Sequence, residues 1–365
     1  MRQITFTNIR IILFITCFCL VNNTLKAQES EGLKEVMSNI SISGSVDTYF
    51  RTNFNGLNKF EFDENGDEIG SPQAPASSFA NDPGFAIGMA NIILGYEGEK
   101  VGFVADFVFG PRGEDAVFLS GPSTNIVNQL YAYYNLSDKM KLTLGNFNTF
   151  LGYEVISPVG NFNYSTSYMF SYGPFSHTGL KADFAFNENW SGILAIMNPT
   201  DLTEFNPFGL YHFGGQLGYS NDSGSAYLNV MYGEQAPDSD ATFHIDLTTG
   251  WDITSAFYLG LNTTYNTTDG SGFYGAALYP QIKASENFVL GLRAEYFKEL
   301  EDGGPVYGAD VRTVDFTLTG NYSVGNLTIK PELRLDSVSE DVFIDKDLVP
   351  KDNLSSFILA VVYAF

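Results

Sequence analysis

Hydrophobic and polar side chains alternate along the last residues of the chain. The odd positions from Phe357 to Phe365 are all large and apolar, and the final residue is aromatic. A period of two places alternate side chains on opposite faces of a β-strand, and a terminal aromatic at the membrane interface is typical of the closing strand of a transmembrane barrel. The last strand of a soluble β-sandwich has a similar pattern, so the upstream segments decide between the two.

The same alternation, bounded by turn residues, recurs along the chain and predicts sixteen β-strands. The predicted spans are 39–52, 85–97, 100–110, 126–136, 140–150, 176–186, 189–198, 209–220, 224–233, 241–251, 255–266, 273–285, 287–298, 309–322, 325–337 and 354–365.

The predicted connections alternate between short polar turns, such as 137–139 and 221–223, and longer segments. The longer ones are 53–84, 111–125, 151–175, 199–208, 234–240, 267–272, 299–308 and 338–353. Short periplasmic turns, long external loops and an even strand number are the pattern of an outer-membrane barrel, whose sheet must close because lipid cannot pair with backbone groups. We therefore expect an all-β fold, a transmembrane antiparallel β-barrel of about 16 strands, within the range 14 to 18.

One predicted strand, 325–337, has an apolar face with Leu333 and Leu335 and an ionic face with Arg334 and Asp336. Such a strand indicates lipid outside the barrel and water inside it. The same rule, applied around the barrel, predicts a set of charged side chains that line the pore. They are Asp47, Arg51, Asp106, Lys141, Lys181, Asp183, Asp246, Lys283, Arg293, Glu295, Asp315, Lys330, Glu332, Arg334 and Asp336.

The connection 151–175 is long, aromatic and poor in charge, with Glu154 as its only ionisable acid. A barrel of sixteen strands is too wide for side chains to fill, so it is expected to hold an aqueous channel. We hypothesise that this loop folds inward and forms the constriction, with Tyr153, Glu154, Phe162 and Tyr164 as its residues. The alternative is an exposed loop that packs on its neighbours.

Residues 1–27 have the pattern of a secretory signal peptide, with Arg2 and Arg10 ahead of an apolar run that includes Cys17 and Cys19. A short periplasmic segment, 28–38, would follow, and the barrel would occupy 39–365. The mature chain would then lack cysteine, which excludes disulfides, thiolate metal sites and a cysteine nucleophile. No other stretch approaches the roughly 20 apolar residues of a transmembrane helix.

Without residues 1–27 the chain has 16 basic and 42 acidic side chains, a net charge of −26, which argues against nucleic acid as a partner. The acidic run from Glu61 to Glu68 leaves open a divalent cation on an external loop, although it lacks the ligand spacing of an EF-hand. No other cofactor or metal site is predicted. The three histidines, His177, His212 and His244, do not form the serine and histidine motif of an outer-membrane phospholipase, so no catalytic residue is predicted.

The segment Gly145–Glu154, followed by Asn161–Ser165 and then His177–Gly179, resembles the β-barrel porin family described as OmpL-like, found in the outer membranes of Bacteroidota and related bacteria. The resemblance implies a pore and names no catalytic residue.

These patterns predict a passive porin for small hydrophilic solutes or ions in the outer membrane of a Gram-negative bacterium, in contact with membrane lipid and lipopolysaccharide. The acidic composition hints at cation preference. The alternative is a structural or adhesion barrel with a closed lumen and external loops that bind partners. The sequence leaves open whether the barrel is a homo-oligomer.

Overall fold

The computed structural model describes residues 38–365 as one closed antiparallel β-barrel of sixteen long strands. The strands of the barrel are β1 (Ile40–Asn53), β4 (Gly84–Glu97), β5 (Val101–Phe109), β6 (Val127–Ser137), β7 (Met140–Asn148), β8 (Ser176–Ala185), β9 (Trp190–Met197), β10 (His212–Asn221), β11 (Gly224–Glu234), β12 (Ala241–Thr254), β13 (Phe257–Thr268), β14 (Ser271–Lys283), β15 (Phe288–Glu299), β16 (Arg312–Val324), β17 (Leu327–Val338) and β20 (Asn353–Ala364). Two short hairpins, β2 (Glu61–Phe62) with β3 (Glu68–Gly70) and β18 (Phe343–Ile344) with β19 (Pro350–Lys351), lie in external loops, as do the helices α1 (Pro111–Ala116) and α2 (Tyr168–Ser171).

The barrel closes where the first and last strands meet. β1 pairs with β20 from Ser45 opposite Ala364 to Asn53 opposite Ser356, and it pairs with β4 on its other side. Closure leaves no barrel strand with an unpaired edge, as a lipid environment requires. The sixteen-strand antiparallel barrel predicted from the alternation is confirmed.

The predicted strand limits differ from the observed ones by up to three residues. The largest differences are at the external starts of β10, at His212 rather than 209, and of β16, at Arg312 rather than 309, and at the periplasmic end of β12, which continues to Thr254 rather than 251. β10 begins later than predicted because Gly209 has a φ of 69°, a left-handed backbone conformation that does not fit an extended strand. The predicted signal peptide 1–27 and most of the segment 28–38 lie outside the described residues.

Each strand has a lipid-facing and an inward side, and β17 shows the division clearly. Lys330, Glu332, Arg334 and Asp336 are 0–3% exposed, whereas Leu333 and Leu335 project from the outer surface. The inward face of β17 is thus the ionic one, as the sequence predicts. None of the described helices is long and apolar enough to cross a membrane.

Three external loops fold back into the barrel instead of standing above it. They connect β1 with β4, β5 with β6, and β7 with β8, and they meet in an apolar cluster inside the barrel. The cluster combines loop residues with inward side chains of β4 and β5: Phe79, Met89, Val108, Ala116, Val117, Ile156, Phe170 and Phe175. The interior therefore has a protein core of its own.

Candidate functional site

The loop between β7 and β8, residues 149–175, lies against the inner face of the barrel wall, and two wall carboxylates hold its backbone. Glu332 accepts hydrogen bonds from the N–H groups of Tyr164 and Ser165, at 2.7 and 3.1 Å. Glu295 accepts from the N–H groups of Tyr168 and Met169, at 2.9 and 2.8 Å. The second pair forms the first turn of α2, where backbone N–H groups otherwise lack partners and favour a negative charge.

Three wall cations bind the carbonyl groups of the same loop. Arg293 donates to the carbonyl of Ser165 at 2.7 Å, and Arg334 donates to that of Thr166 at 2.9 Å. The ammonium group of Lys330 donates to the carbonyls of Pro158 and Asn161, at 2.9 and 2.5 Å. The barrel wall therefore binds both the N–H and the C=O groups of the loop main chain.

The charges that hold the loop form a buried ionic network. Arg293 contacts Asp315 at 2.7 Å and Glu154 of the loop at 2.9 Å, and Arg334 contacts Asp336 at 2.8 Å. The side chains of these five residues are at most 4% exposed. Burial of charge is costly unless partners compensate it, so removal of one member would leave an uncompensated charge and is strongly destabilising. We call the inner faces of β15, β16 and β17, with Arg293, Glu295, Asp315, Lys330, Glu332, Arg334 and Asp336, the network wall.

Asp47 attaches the loop to β1. It lies where the register of β1 and β4 shifts between Val46 and Thr48, and its carboxylate accepts from Met89 N–H at 3.0 Å and from the Tyr164 hydroxyl at 2.5 Å. The extra residue of this bulge is in β4, because Val46 and Thr48 pair with Ala90 and Ile87, and Asp47 keeps the inward direction of its strand. Arg112, next to Pro111 at the start of α1, donates to the carbonyls of Ile156 and Tyr164 at 2.8 and 3.1 Å, and so joins a second loop to the first.

Inward-facing glycines provide room for the side chains of the loop. A Cβ atom on Gly291 would clash with the ring of Phe162, and one on Gly260 would lie 2.7 Å from the ring of Tyr153. Real Cβ atoms do not make contacts this short. Tyr153 also stacks on Tyr279, with ring centroids 4.1 Å apart. Inward-facing glycines of the wall thus mark the positions where side chains of the loop pack against it.

On the opposite side of the barrel, inward charges reach solvent. Lys181 and Asp183 of β8 form an ion pair of 3.0 Å with side chains 18% and 26% exposed. Lys141 of β7 is half-buried, with its ammonium group 5.6 Å from the ring centre of Tyr133. We call the inner faces of β7 and β8, with Lys141, Lys181 and Asp183, the open wall.

The remaining inward charges named by the sequence have local partners. Asp106 accepts from Asn91 and Asn128, at 3.2 and 2.7 Å. Asp246 accepts from Asn229, Asn262 and Gly152 N–H, at 3.0, 2.5 and 3.0 Å.

Two predicted pore residues lie near the ends of their strands. Arg51 is buried and donates to the carbonyl of Gln73 at 2.9 Å, while Lys283, the last residue of β14, is exposed. The alternation places all fifteen charges on inward positions but does not separate those covered by loops from those that reach solvent.

Four cavities lie along the loop, and each shares lining residues with the next. An external cavity of about 290 Å³ shares His244, Gly173 and Pro174 with one of about 10 Å³. The third, of about 80 Å³, shares Leu151 and Gly152 with the second, and Glu154 with a periplasmic cavity of about 630 Å³. One water needs about 10–15 Å³ of such space, so the narrowest cavity holds a single water.

The narrowest cavity lies between the loop and the wall formed by β12 and β13. His244, Asp246, Asn262 and Thr264 line it from the wall. Of the predicted constriction residues, Glu154 lines the third cavity, and Tyr153, Glu154 and Phe162 line the periplasmic one. Tyr164 is fully buried and lines none of the four.

Sequence reasoning missed several residues that position the loop. Arg112 and Tyr168 lie in predicted external loops, where no periodicity indicates which side chains turn inward; Tyr168 donates its hydroxyl to Asp336 at 3.1 Å. The available signal was the placement of glycines such as Gly260 and Gly291 at inward positions of strands. Glycine is otherwise unfavourable in a strand interior and marks close approach of another chain segment.

The acidic run in the first loop forms the β2–β3 hairpin. Asp63 accepts from the N–H groups of Asn65 and Asp67, at 2.8 and 2.9 Å, and these hydrogen bonds lower the pKa of its carboxyl group. Across residues 38–365, no three or more histidine or acidic side chains are grouped so as to hold a metal ion.

The family model described as "Putative beta-barrel porin-2, OmpL-like" matches residues 39–365. The chain belongs to this porin family. It is a barrel of the outer membrane, in a family of channels rather than enzymes. No curated protein matches the chain.

Solved structures of other porins share the fold at low sequence identity. OprB of Pseudomonas putida matches with a TM-score of 0.61 and 11% identity over 92% of this chain and 96% of its own. An OmpT of Vibrio cholerae lacking loop L8 and an anion-selective porin of Comamonas acidovorans match with TM-scores of 0.58 and 0.57, each at 11% identity over 89% of this chain and 99% of their own.

Proposed function

We propose that this porin is a passive channel for small hydrophilic solutes or ions, and that loop 149–175 forms its constriction. The observation that supports the proposal is the attachment of the loop backbone to the inner wall through Glu295, Glu332, Arg293, Arg334 and Lys330. A rigidly placed loop inside a wide barrel reduces the free cross-section of the lumen. The charges of the network wall then act chiefly as supports for the loop.

The proposed route follows the four cavities, along the edge of the loop that faces β12 and β13. Gly152, Gly173 and Pro174 form that edge, and Gly152 N–H is tied to the wall through Asp246. On this route, a solute larger than water passes only when this edge moves away from the wall. Among the predicted pore-lining charges, those of the open wall and Lys283 are the ones in contact with solvent. They line none of the four cavities but lie near the periplasmic ends of their strands, so we assign to them the contact with permeating ions in the periplasmic part of the lumen.

Single-channel conductance in a planar bilayer tests the proposal. We expect stable steps from the refolded protein and steps several-fold larger when Gly152–Pro174 is replaced by a short glycine–serine link. The matched control removes residues 61–70, the exposed β2–β3 hairpin, and should leave the steps unchanged. Heat-dependent mobility in gels verifies that each variant is a folded barrel. Equal steps with and without loop 149–175 would contradict its role as the constriction.

A closed structural or adhesion barrel is the second candidate, and a specific observation favours it. The narrowest cavity is about 10 Å³, and apolar clusters bridge the loop and the wall, one of them with Leu151, Met197 and Met231. This candidate predicts silence from the wild type and conductance only from the loop deletion. The same experiment therefore separates the two functions.

We further propose contacts with lipopolysaccharide at the external rim and assembly into a homo-oligomer. The outward surface is apolar, as contact with lipid requires, and a structural neighbour, OmpT of Vibrio cholerae, is described in a trimer form. Chemical crosslinking in outer-membrane vesicles tests the oligomer. Reversal potentials in a salt gradient test the cation preference suggested by the acidic composition.

A further inference from the structure

The external cavity of about 290 Å³ is lined by a combination of side chains that the channel function alone does not require. It is lined by Phe118 and Leu119 of one loop, Ser171–Pro174 of loop 149–175, Thr200 and Asp201 of the loop between β9 and β10, and His212, Met231, Gln235, Thr242, His244 and Asn266 of the barrel side. Lysine and arginine are absent from this set of described residues.

Asp201 is the one carboxylate of the cavity, and the structure fixes its position. Its Oδ1 atom accepts two backbone hydrogen bonds, from Phe175 at 2.9 Å and Ser176 at 2.8 Å. No protein donor among the described residues binds Oδ2, and that atom is not among the buried unpaired atoms. Oδ1 therefore fixes the side chain in place, and Oδ2 is available to a solute in the cavity.

The backbone of Asp201 is held in an uncommon conformation. Its φ is 64°, in the left-handed region, where a residue other than glycine is unusual. Its own N–H donates to the carbonyl of Ser176 at 3.2 Å, which closes a ring of three hydrogen bonds between the two loops. Uncommon backbone conformations persist where the surroundings enforce them, and they concentrate at binding sites.

Aromatic rings stand on the side of the cavity formed by the loops. Phe118 is 57% exposed, and its ring packs edge-on against Phe175 with centroids 6.0 Å apart. Tyr172 lines the same cavity. A cation over an aromatic face is attracted by the ring quadrupole, and the side chains of Thr242 and Asn266 add oxygen atoms at the barrel wall. The cavity thus combines one carboxylate, aromatic faces and neutral oxygens.

We propose that this external cavity is a binding site for a small organic cation of the ammonium class, with Asp201 as the counter-charge and Phe118 and Tyr172 as aromatic contacts. The inference extends the proposed channel function, since it names a solute class that the channel would receive at its external mouth. Binding itself does not depend on passage. An anion is disfavoured because the carboxylate repels it and no lysine or arginine is among the described residues that line the cavity.

Choline and its uncharged carbon analogue 3,3-dimethyl-1-butanol are a matched pair of probes, because they differ in charge but hardly in shape. Saturation-transfer NMR on the folded barrel in detergent measures their binding without any need for conductance. The measurement is made at pH 8.5, where Asp201 is ionised although burial raises its pKa to about 7. We expect choline to bind and the alcohol to bind at least fivefold more weakly, as a single charge pair near a protein surface predicts. Equal binding of the two, or binding of neither, would overturn the proposal.

The variant Asp201→Asn removes the charge and keeps the fold. Asparagine tolerates a positive φ, and its side-chain oxygen can still accept the N–H groups of Phe175 and Ser176. Choline affinity should fall at least fivefold in this variant, and about two- to fivefold in Phe118→Ala. The matched control is Glu204→Gln, which removes an exposed carboxylate of the same loop that binds Ser123 and Thr124 outside the cavity and should leave affinity unchanged.

The channel function and the cation-binding site are contradicted by different experimental outcomes. If the wild type conducts and Asp201→Asn binds choline as well as the wild type does, the site is wrong and the channel remains. If the barrel is silent but binds choline in an Asp201-dependent way, the site stands and the passive channel is wrong.

Discussion

The network wall and the open wall carry the same kinds of side chain in different surroundings. On β15–β17, Arg293 and Asp315 are fully buried and pair at 2.7 Å beneath the loop. On β8, Lys181 and Asp183 pair at 3.0 Å with about a fifth of their side chains exposed. Burial makes the first pair costly to break, whereas water compensates the second. A charge inside a barrel can thus support a loop or face a solute, and exposure separates the two roles.

Arg293→Met is expected to have the largest effect on stability. It leaves Asp315 and Glu154 buried without their cation, and loss of one partner of a buried pair costs about 3–5 kcal/mol. Urea unfolding of the refolded barrel should show this loss in the free energy of unfolding. Lys181→Met on the open wall is the matched control, with an expected cost of about 0–1 kcal/mol. Similar losses in both variants would remove the distinction between the two walls.

Gly291→Ala tests the close packing of the loop on the network wall. Its Cβ atom would clash with the ring of Phe162, and overpacking of this kind costs about 1–3 kcal/mol. The ring must move, so we also expect altered single-channel conductance. In Gly215→Ala the new atom meets its neighbours at 3.5 Å or more, and stability and conductance should stay unchanged. A wild-type conductance in Gly291→Ala would mean that Phe162 is not at the constriction.

Asp183→Asn should alter ion preference with little change in stability. The pair with Lys181 is partly exposed, so its loss costs about 0–1 kcal/mol, but the open wall gains one net positive charge. We expect the reversal potential in a salt gradient to shift toward anion preference. Glu64→Gln, on the exposed β2–β3 hairpin, is the control and should not shift it. An unchanged reversal potential in Asp183→Asn would show that the open wall does not face the permeating ions.

The smallest expected effect is a pH dependence at the external cavity. Burial raises the pKa of Asp201 to about 7, above the usual value of about 3.9 in an unfolded chain. A raised pKa in the fold means that the stabilising contribution of the neutral carboxyl is complete below about pH 3.9 and is lost as pH rises through about 7. Hydrogen exchange in residues 199–211, corrected for intrinsic rates, should be faster at pH 8 than at pH 5.5, and Asp201→Asn should abolish the difference.

Most of the fold could be predicted from the sequence because each strand carries its own period-two signal. Turn residues and the ionic face of residues such as Arg334 and Asp336 set the register, and an error of one residue would have inverted the faces. The inward position of each charge follows from the same signal. The limits of the strands were less certain, because they depend on loop geometry such as the left-handed backbone of Gly209, which delays the start of β10.

The arrangement inside the barrel could not be predicted in the same way. The sequence suggested that loop 151–175 turns inward, from its length and low charge, but it gave no register between loop and wall. Contacts such as Tyr164 with Glu332 join residues 168 positions apart, through a backbone group that every residue possesses. Asp201 likewise lies in an ordinary loop sequence, and only the fold brings it beside Phe175 and Ser176.

The wall of the barrel holds the loop mainly by its peptide groups. Glu332, Glu295, Arg334 and Lys330 bind N–H and C=O groups that remain the same whichever side chains the loop carries. Val155 and Val159, which lie outside the edge formed by Gly152, Gly173 and Pro174, have exposed side chains that take no part in this attachment. Substitutions at such exposed positions of the loop can therefore change the lining of the channel while the backbone contacts that hold the loop in the barrel stay the same.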